Sequence, residues 1–408
     1  MRRTRATPPN LLSMKTSLAF LLGALAVASL ARGASKLTVT ASHSLDAARP
    51  SETLLVPWSE VRKHLPDAAP DKLIVKDAQG RVLTYQFTNF QPEDKTGRYD
   101  DVLFQYSFAA GEKSASFTIE RSPTPVLPVP TKTFARYVPE RLHDFAFEND
   151  RLAHRMYGPG LDTPAAGKSR MISSGIDIWT KRVAYPVIDR WYLRGHDNYH
   201  IENGEGLDFY SVGTGRGCGG TGIWDGAKLR VSHNWKTWKV VANGPVRTIF
   251  ELGYAPWDAG NGVMVSEVKR FTLDAGHNLH RVESTFTFEG APSLVVALGL
   301  GKHKDVPATI DRNRGGWLAQ WEKYPRATEG ELGTAVMLAS GAFQDFAEDD
   351  LNQLALVRAT SGTPVRYALG AGWSLGSPFT SAAAWNTYLS AEAARLRAPV
   401  TVAVTPVP

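Results

Sequence analysis

Apolar and polar residues alternate along many short segments of the chain, for example 246–252, 263–268 and 279–288. Alternation at every second position is typical of strands that bury one face and expose the other. Helical patterning is confined to 58–65 and 381–397. Many alternating strands in series, with few helices between them, predict packed antiparallel sheets and an all-β fold class.

The strand pattern divides into two parts. Short β-branched and aromatic runs between turn residues fill 36–122, and their spacing predicts a small immunoglobulin-like β-sandwich module. A proline-rich connector follows at 123–133, where closely spaced prolines favour a stiff, extended chain. The segment 134–408 is predicted to form a second, larger catalytic domain of antiparallel sheets.

The amino terminus has the pattern of a secretory signal peptide. Basic residues at Arg2, Arg3, Arg5 and Lys15 precede the apolar run 18–30, and small residues come after it. The run is shorter than the roughly 20 residues that a membrane span needs. We therefore predict that residues 1–34 are removed, that the mature chain has no membrane span, and that the protein is secreted or periplasmic in a bacterium.

Charge and cysteine content narrow the function classes. The chain has 46 Lys and Arg against 40 Asp and Glu, but residues 1–34 hold five of the basic residues and no acidic ones. The mature chain is therefore close to neutral and has no basic run, which argues against a nucleic-acid partner. With Cys218 as its one cysteine, the chain forms no internal disulfide, which suits a bacterial periplasm.

One stretch, residues 199–210, concentrates chemically active side chains. It contains an imidazole, three carboxylates and two phenols: His200, Glu202, Glu205, Asp208, Tyr199 and Tyr210. Because Gly204 and Gly206 permit backbone angles that other residues avoid, we expect a turn here that brings polar side chains together. A structural Ca²⁺ held by His200, Glu202, Glu205 and Asp208 is an open alternative, although the spacing has no zinc-like specificity. No other cofactor is predicted.

Three further segments, 143–150, 174–182 and 299–305, carry more polar residues than a β scaffold requires. Any single residue in them has a structural explanation, such as capping a turn or pairing on the surface. The recurrence of Trp, Tyr, Lys, Arg and His in four places favours a common site.

The motifs Phe147-Glu-Asn-Asp150, Tyr157-Gly-Pro159, Ser174-Gly-Ile-Asp-Ile-Trp179 and Gly204-Glu-Gly-Leu-Asp-Phe-Tyr-Ser-Val-Gly213 resemble the domain of unknown function 4861 family, over nearly the whole mature chain. The resemblance implies a galactose-mutarotase-like supersandwich and a role in polysaccharide utilisation. Elimination of water from a terminal uronic acid is the activity associated with relatives. Phe147 stands where the family pattern leads us to expect Trp, which would alter a sugar-stacking face.

Three function classes are compatible with these residues. β-Elimination from a uronate, by a dehydratase or a lyase, needs a base, a cation that neutralises the carboxylate, and an acid for the departing oxygen. A glycoside hydrolase needs two carboxylates at a fixed separation, which Glu202, Glu205 and Asp208 can supply. A non-catalytic saccharide-binding protein needs the cleft alone. We favour elimination on uronic-acid-containing oligosaccharides.

Under that hypothesis each candidate residue has a role. His200 is the base, Tyr199 or Tyr210 the acid, and Lys181 with Arg182 neutralise the substrate carboxylate. Glu205 is expected to orient His200 or Lys181, and His200, Lys181 and either His143 or His303 are expected to share one cleft. The predicted substrate-binding residues are Trp179 and Trp191, which stack on the sugar, and Asp177, His143, Asp208, Glu148, His303 and Lys304.

Overall fold

The computed structural model of the protein describes residues 35–91, 98–312, 316–338 and 342–407. Within these ranges the chain forms 25 strands and three α-helices, and every strand pairs antiparallel with its neighbours. The all-β prediction is thereby confirmed. The predicted signal peptide, 1–34, lies outside the described residues and stays a prediction.

The first part of the chain contains six strands and one helix: β1 (Lys36–Ser42), β2 (Arg49–Pro57), α1 (Trp58–His64), β3 (Leu73–Asp77), β4 (Tyr85–Thr88), β5 (Asp101–Phe108) and β6 (Ser114–Arg121). The second part contains β7 (Phe134–Val138), β8 (Asp144–Glu148), β9 (Leu152–Met156), β10 (Trp179–Lys181), α2 (Ile188–Arg194), β11 (Gly206–Leu207), β12 (Cys218–Trp224), β13 (Leu229–Arg230), β14 (Thr237–Ala242), β15 (Arg247–Asp258), β16 (Met264–Asp274), β17 (Leu279–Phe288), β18 (Leu294–Gly301), β19 (Thr309–Asp311), β20 (Trp317–Lys323), β21 (Glu331–Leu338), β22 (Asp345–Glu348), β23 (Asn352–Ala359), β24 (Pro364–Trp373), α3 (Ala382–Arg397) and β25 (Thr401–Val407).

The small module is a sandwich of two sheets, with strand orders β25-β1-β6-β3 and β2-β5-β4. Alternate residues of β1, such as Leu37 and Val39, are fully buried against rings including Phe104 and Phe117. The last strand, β25, leaves α3 and pairs with β1 along its whole length, from Lys36 opposite Val407 to Ser42 opposite Thr401. The sequence predicts that 401–407 belong to the large domain, whereas they complete the first sheet of the small module.

The large sandwich packs an eight-stranded sheet, ordered β14-β15-β16-β17-β24-β21-β20-β19, against a five-stranded sheet, ordered β13-β12-β18-β23-β22. The alternation predicted for 279–288 is present, because Val282, Phe286 and Phe288 of β17 are buried in the core between the sheets. The same core encloses an ion pair between Lys269 and Glu267, with the two charged atoms 2.5 Å apart.

A second five-stranded sheet, ordered β11-β10-β9-β8-β7, carries most of the site. Strands β8, β9 and β10 are buried at every residue, since one face joins the main core and α2 covers the other. Gly206 allows β11 to approach β10: its φ is +118°, and a side-chain Cβ there would lie 2.0 Å from the Thr180 carbonyl oxygen. The loops at one end of this sheet converge on a cavity.

Candidate functional site

An open cavity of about 510 Å³ lies where the loops around β7 to β11 meet. Residues from several separate segments converge on it, and their polar groups include imidazoles, carboxyls, phenols and guanidinium groups. The lining residues with ionisable side chains are Arg141, Arg155, Tyr157, Asp177, His196, His200, Asp208, Tyr210 and Arg326. The central stretch identified from the sequence therefore contributes three of them, His200, Asp208 and Tyr210.

The backbone fixes the imidazole of His200. Its Nδ1 lies 2.8 Å from the carbonyl oxygen of Asp208, and the Asp208 amide in turn donates to the Tyr199 carbonyl oxygen at 2.9 Å. Because a carbonyl oxygen can only accept, Nδ1 must carry the proton, and neutral His200 then has a lone pair on Nε2. The side chain is 38% exposed, and Nε2 has no hydrogen-bond partner among the described residues. His200 thus has the tautomer of a general base.

Two buried carboxyl groups, Asp177 and Asp208, line the same cavity as His200. Burial raises the pKa of Asp208 to about 7, although the nearby guanidinium of Arg155 opposes the shift. Burial, reinforced by the charge of Asp208, raises the pKa of Asp177 well above its usual value. At neutral pH the pair therefore retains at least one proton. The Asp208 Oδ2 atom is also 3.5 Å from His200 Nδ1.

Three arginines contribute positive charge, but two of them are already paired. Arg155 Nε donates to Asp144 Oδ2 at 2.6 Å, and its guanidinium lies over the Tyr157 ring, 4.9 Å from the centroid. Arg326 donates to Glu329 at 2.6 Å. Within the described residues, Arg141 has no carboxylate within salt-bridge distance, and its buried Nε has no hydrogen-bond partner. Arg141 is therefore the cation available to a negatively charged ligand.

Tyr210 and His303 form another side of the site. The Tyr210 ring lines the cavity, and its centroid is 5.7 Å from that of His303. Burial raises the pKa of the Tyr210 phenol well above its usual value, so the phenol keeps its proton. His303 Nδ1 is 2.5 Å from Glu322 Oε2, and this contact raises the pKa of His303. His303 supports Tyr210 rather than lining the cavity.

Lys181 and Glu148 require a correction, because their charges serve each other. The Lys181 ammonium is buried, 2.6 Å from Glu148 Oε2 and 2.7 Å from the Asn149 carbonyl oxygen. Glu148 also accepts the amide N–H groups of Val187 and Ile188 at 2.9 Å, at the start of α2. A fully engaged internal pair of this kind has no charge left for a substrate carboxylate.

Trp179 and Trp191 are also misassigned by the sequence, because neither has an exposed face for a sugar. Their side chains are 0% and 1% exposed and stack on each other with centroids 5.4 Å apart. Tyr199, 1% exposed, packs on Trp179 in the same cluster between the sheet and α2. These rings are the core that holds the loop carrying His200, and Tyr199 does not reach the cavity.

Glu205 and Arg182 likewise act outside the cavity. Glu205 is held by Arg190, Arg194, Tyr185 and the Trp191 indole, at distances from 2.7 to 3.1 Å. It therefore orients neither His200 nor Lys181. Arg182 Nε pairs with Glu202 at 2.9 Å, and its guanidinium covers the Trp373 ring.

The last two predicted residues lie at the surface. His143 lines an adjoining cavity of about 460 Å³, which shares Arg141, Ser169 and His196 with the first. Lys304 is exposed in the turn after β18 and does not line either cavity. Of the residues expected to share one cleft, His200 lines the cavity, and His143 and His303 lie beside it. Lys181 is not among the residues that line the cavity.

The sequence points to Arg155 and Tyr157 as polar residues that follow the segment 143–150, but it assigns them no role in the site. It gives no indication of Arg141, which precedes that segment by two residues, or of His196. His196 gave no signal, because it lies in an ordinary polar turn. Its ring centroid is 5.0 Å from that of His200.

Neither a metal cluster nor a membrane span stands out in the part of the chain that the structure describes. There, no group of three or more His, Cys, Asp or Glu side chains is arranged to hold a metal ion. No helix among the same residues is long and apolar enough to cross a membrane.

The fold and the motifs define a β-sandwich protein of a recognised sequence family. The chain belongs to the domain of unknown function family DUF4861, whose sequence profile matches residues 41–402, and this confirms the resemblance seen in the motifs. A relative from Formosa agariphila (strain DSM 15362), the uncharacterized protein P7, is 32% identical over 378 residues, which cover 90% of this chain and 93% of the relative.

Two solved structures are similar to parts of this chain. One is a protein in glycosyl hydrolase family 38 from Enterococcus faecalis, with a TM-score of 0.50 and 11% identity over 91% of this chain. The other is an alpha-mannosidase from E. faecalis V583, with a TM-score of 0.48 and 10% identity. This chain spans about half the length of each, 47% and 46%. At such identities the likeness to the first concerns the fold alone.

Proposed function

We propose that this protein is a carbohydrate-active enzyme that performs β-elimination on a uronic-acid unit of an oligosaccharide, as a dehydratase or a lyase. The observation that carries the proposal is the pairing of two groups in one cavity. The guanidinium of Arg141 has no carboxylate within salt-bridge distance among the described residues, and His200 presents an unprotonated Nε2. A cation and a base are the two groups that removal of a proton α to a carboxylate requires.

In the proposed reaction His200 Nε2 takes the proton from the carbon next to the substrate carboxylate. The electrons of that C–H bond form a double bond to the neighbouring carbon as its C–O bond breaks. Arg141 stabilises the charge that develops on the carboxylate oxygens, and Asp208 stabilises the imidazolium beside it. Tyr210 donates a proton to the departing oxygen. That oxygen leaves as water or as a sugar hydroxyl.

The carboxyl pair makes the cavity suitable for an acidic substrate. If Asp177 and Asp208 were both ionised, they would repel a uronate. Their raised pKa values keep at least one proton on the pair at neutral pH, so the repulsion of the substrate carboxylate is reduced.

Glycoside hydrolysis is the second candidate function, and the same carboxyl pair favours it. A pKa of about 7 suits Asp208 to general acid catalysis, and Asp177 would then be the second carboxylate. The solved family 38 protein supports a saccharide as the ligand in either reaction.

Incubation with a panel of uronate oligosaccharides tests the proposal. We expect ultraviolet absorbance from a conjugated double bond, with loss of one water by mass for a dehydratase or chain cleavage for a lyase. Cleavage without absorbance would establish the hydrolase instead. Binding without any chemical change would leave a saccharide-binding protein and refute both enzymatic functions.

A further inference from the structure

A row of offset aromatic rings leads away from the catalytic cavity. Trp238 on β14 and Tyr137 on β7 are nearly parallel, at 16°, with centroids 5.3 Å apart. Tyr137 and His143 are also nearly parallel, at 10°, with centroids 5.8 Å apart. We call these three residues the aromatic track.

The rings of the track leave part of their faces open. Stacked carbon atoms touch at about 3.5–4.0 Å, so centroids 5.3 and 5.8 Å apart mean that each ring is displaced sideways from its neighbour. Trp238 is 46% exposed, although a tryptophan without a ligand or packing partner is normally buried. A stepped series of half-covered rings is a surface on which the apolar faces of sugars can stack.

The track is continuous with the catalytic cavity. His143, at its inner end, lines the adjoining cavity, and the residues shared by the two cavities include Arg141 and His196. The His196 ring contacts that of His200 with centroids 5.0 Å apart. A chain bound with its reacting unit at His200 can therefore extend past Arg141 to His143, the inner end of the track.

The backbone at the inner end of the track is strained. Leu142 and His143 have φ angles of +49° and +62°, a left-handed conformation that is unfavourable for side chains of this kind. A hydrogen bond between the Tyr137 hydroxyl and His143 Nδ1 fixes the turn. A strained backbone that a specific contact holds in place is typical of binding sites. Here the strained turn places the His143 imidazole at the adjoining cavity.

We infer that the aromatic track binds the part of an oligosaccharide that extends beyond the reacting unit, and so selects longer chains over short ones. This inference rests on the proposed function for the identity of the ligand. Under this inference the sugar stacks on Trp238 and Tyr137, and not on Trp179 and Trp191 as the sequence predicts.

The test measures the dissociation constants of a uronate disaccharide and hexasaccharide by calorimetry, so that it is independent of turnover. For Trp238→Ala we expect about ten-fold weaker binding of the hexasaccharide, the size of one lost aromatic contact, and unchanged binding of the disaccharide. Trp238→Phe keeps a ring and should retain most of the affinity. Leu193→Ala removes a side chain that is 88% exposed outside the track and is the control.

Each outcome decides the inference. Equal weakening for both chain lengths, no weakening for either, or no binding of any acidic oligosaccharide by the unmodified protein would overturn it. Length-dependent binding that Trp238→Ala abolishes, in a protein that never releases an unsaturated product, would support the track and refute the elimination reaction. The two proposals therefore fail separately.

Discussion

His200 is oriented by the backbone of Asp208, with 2.8 Å between the imidazole Nδ1 and the carbonyl oxygen. The side chain of the same aspartate lies 3.5 Å from Nδ1. One residue thus sets the tautomer through its main chain and makes a second contact with the ring through its carboxyl group. Substitution of Asp208 changes the second effect and leaves the first intact, which separates the two experimentally.

His200→Ala should lower kcat/KM for elimination by about 10²–10⁴-fold, the usual contribution of a general base. The rise of absorbance from the unsaturated product measures it. Melting temperature should be little changed, because the imidazole is partly exposed and its one backbone hydrogen bond is at the surface of the site.

Glu205→Gln is the matched control, since it lies in the same loop but outside the cavity. We expect it to retain a large fraction of activity and to lose stability instead, as two arginine contacts weaken. If Glu205→Gln were inactive and stable while His200→Ala kept its activity, the assignment of His200 as the base would be wrong.

Arg141→Met should raise KM for uronate substrates by about ten-fold or more, because the substrate carboxylate loses its cation. The informative comparison is a substrate whose carboxylate is converted to a methyl ester. Both proteins should bind the neutral ester similarly. A loss of equal size for the acid and for the ester would mean that Arg141 acts on the fold and does not recognise charge.

Asp208→Asn should stabilise the protein at alkaline pH while lowering its activity. The pKa of Asp208 is about 7 in the folded state, above its value in the unfolded chain, so the folded state binds the extra proton between about pH 4 and pH 7. Stability from this group is therefore complete at acidic pH and declines as the pH rises through 7.

The amide cannot ionise and avoids this decline. Thermal melts should show the variant more stable than the unmodified protein at pH 8 and similar to it at pH 4. The gain is at most a few kcal/mol, because one unit of pKa corresponds to about 1.4 kcal/mol. A variant that is less stable at pH 8 would contradict the raised pKa.

The sequence predicted the all-β fold because alternation reports which face of a strand is buried, as at Val282 and Phe286 of β17. It located His200, Asp208 and Tyr210 because glycine and polar residues cluster in one stretch. It misjudged Trp179 and Lys181 because composition does not distinguish a ring or a charge in a cleft from one in the core. Their burial depends on α2 and Glu148, which reach them only through tertiary packing.

Trp191→Ala should cost about 3–5 kcal/mol of unfolding free energy, the usual range for a large aromatic removed from a core. Its ring is 1% exposed, and its indole nitrogen binds Glu205 at 3.1 Å. Denaturant unfolding measures the loss. Trp238→Ala removes a ring that is 46% exposed and stacks on Tyr137, and it should cost less, about 0.5–1.5 kcal/mol. Equal losses of unfolding free energy in the two variants would contradict the assignment of Trp191 to the core and Trp238 to the surface.

The pairing of β25 with β1 has a consequence for how the chain acquires its structure. Synthesis delivers residues in order, and β1 must wait for a partner that is about 360 positions later in the chain. The nascent small sandwich therefore has an open sheet edge until the large one has been made, and a fragment cut at the proline connector would keep that edge exposed. β1 and β25 are synthesised at different times but become ordered together. The small sandwich is therefore the last part of the molecule to complete its sheets.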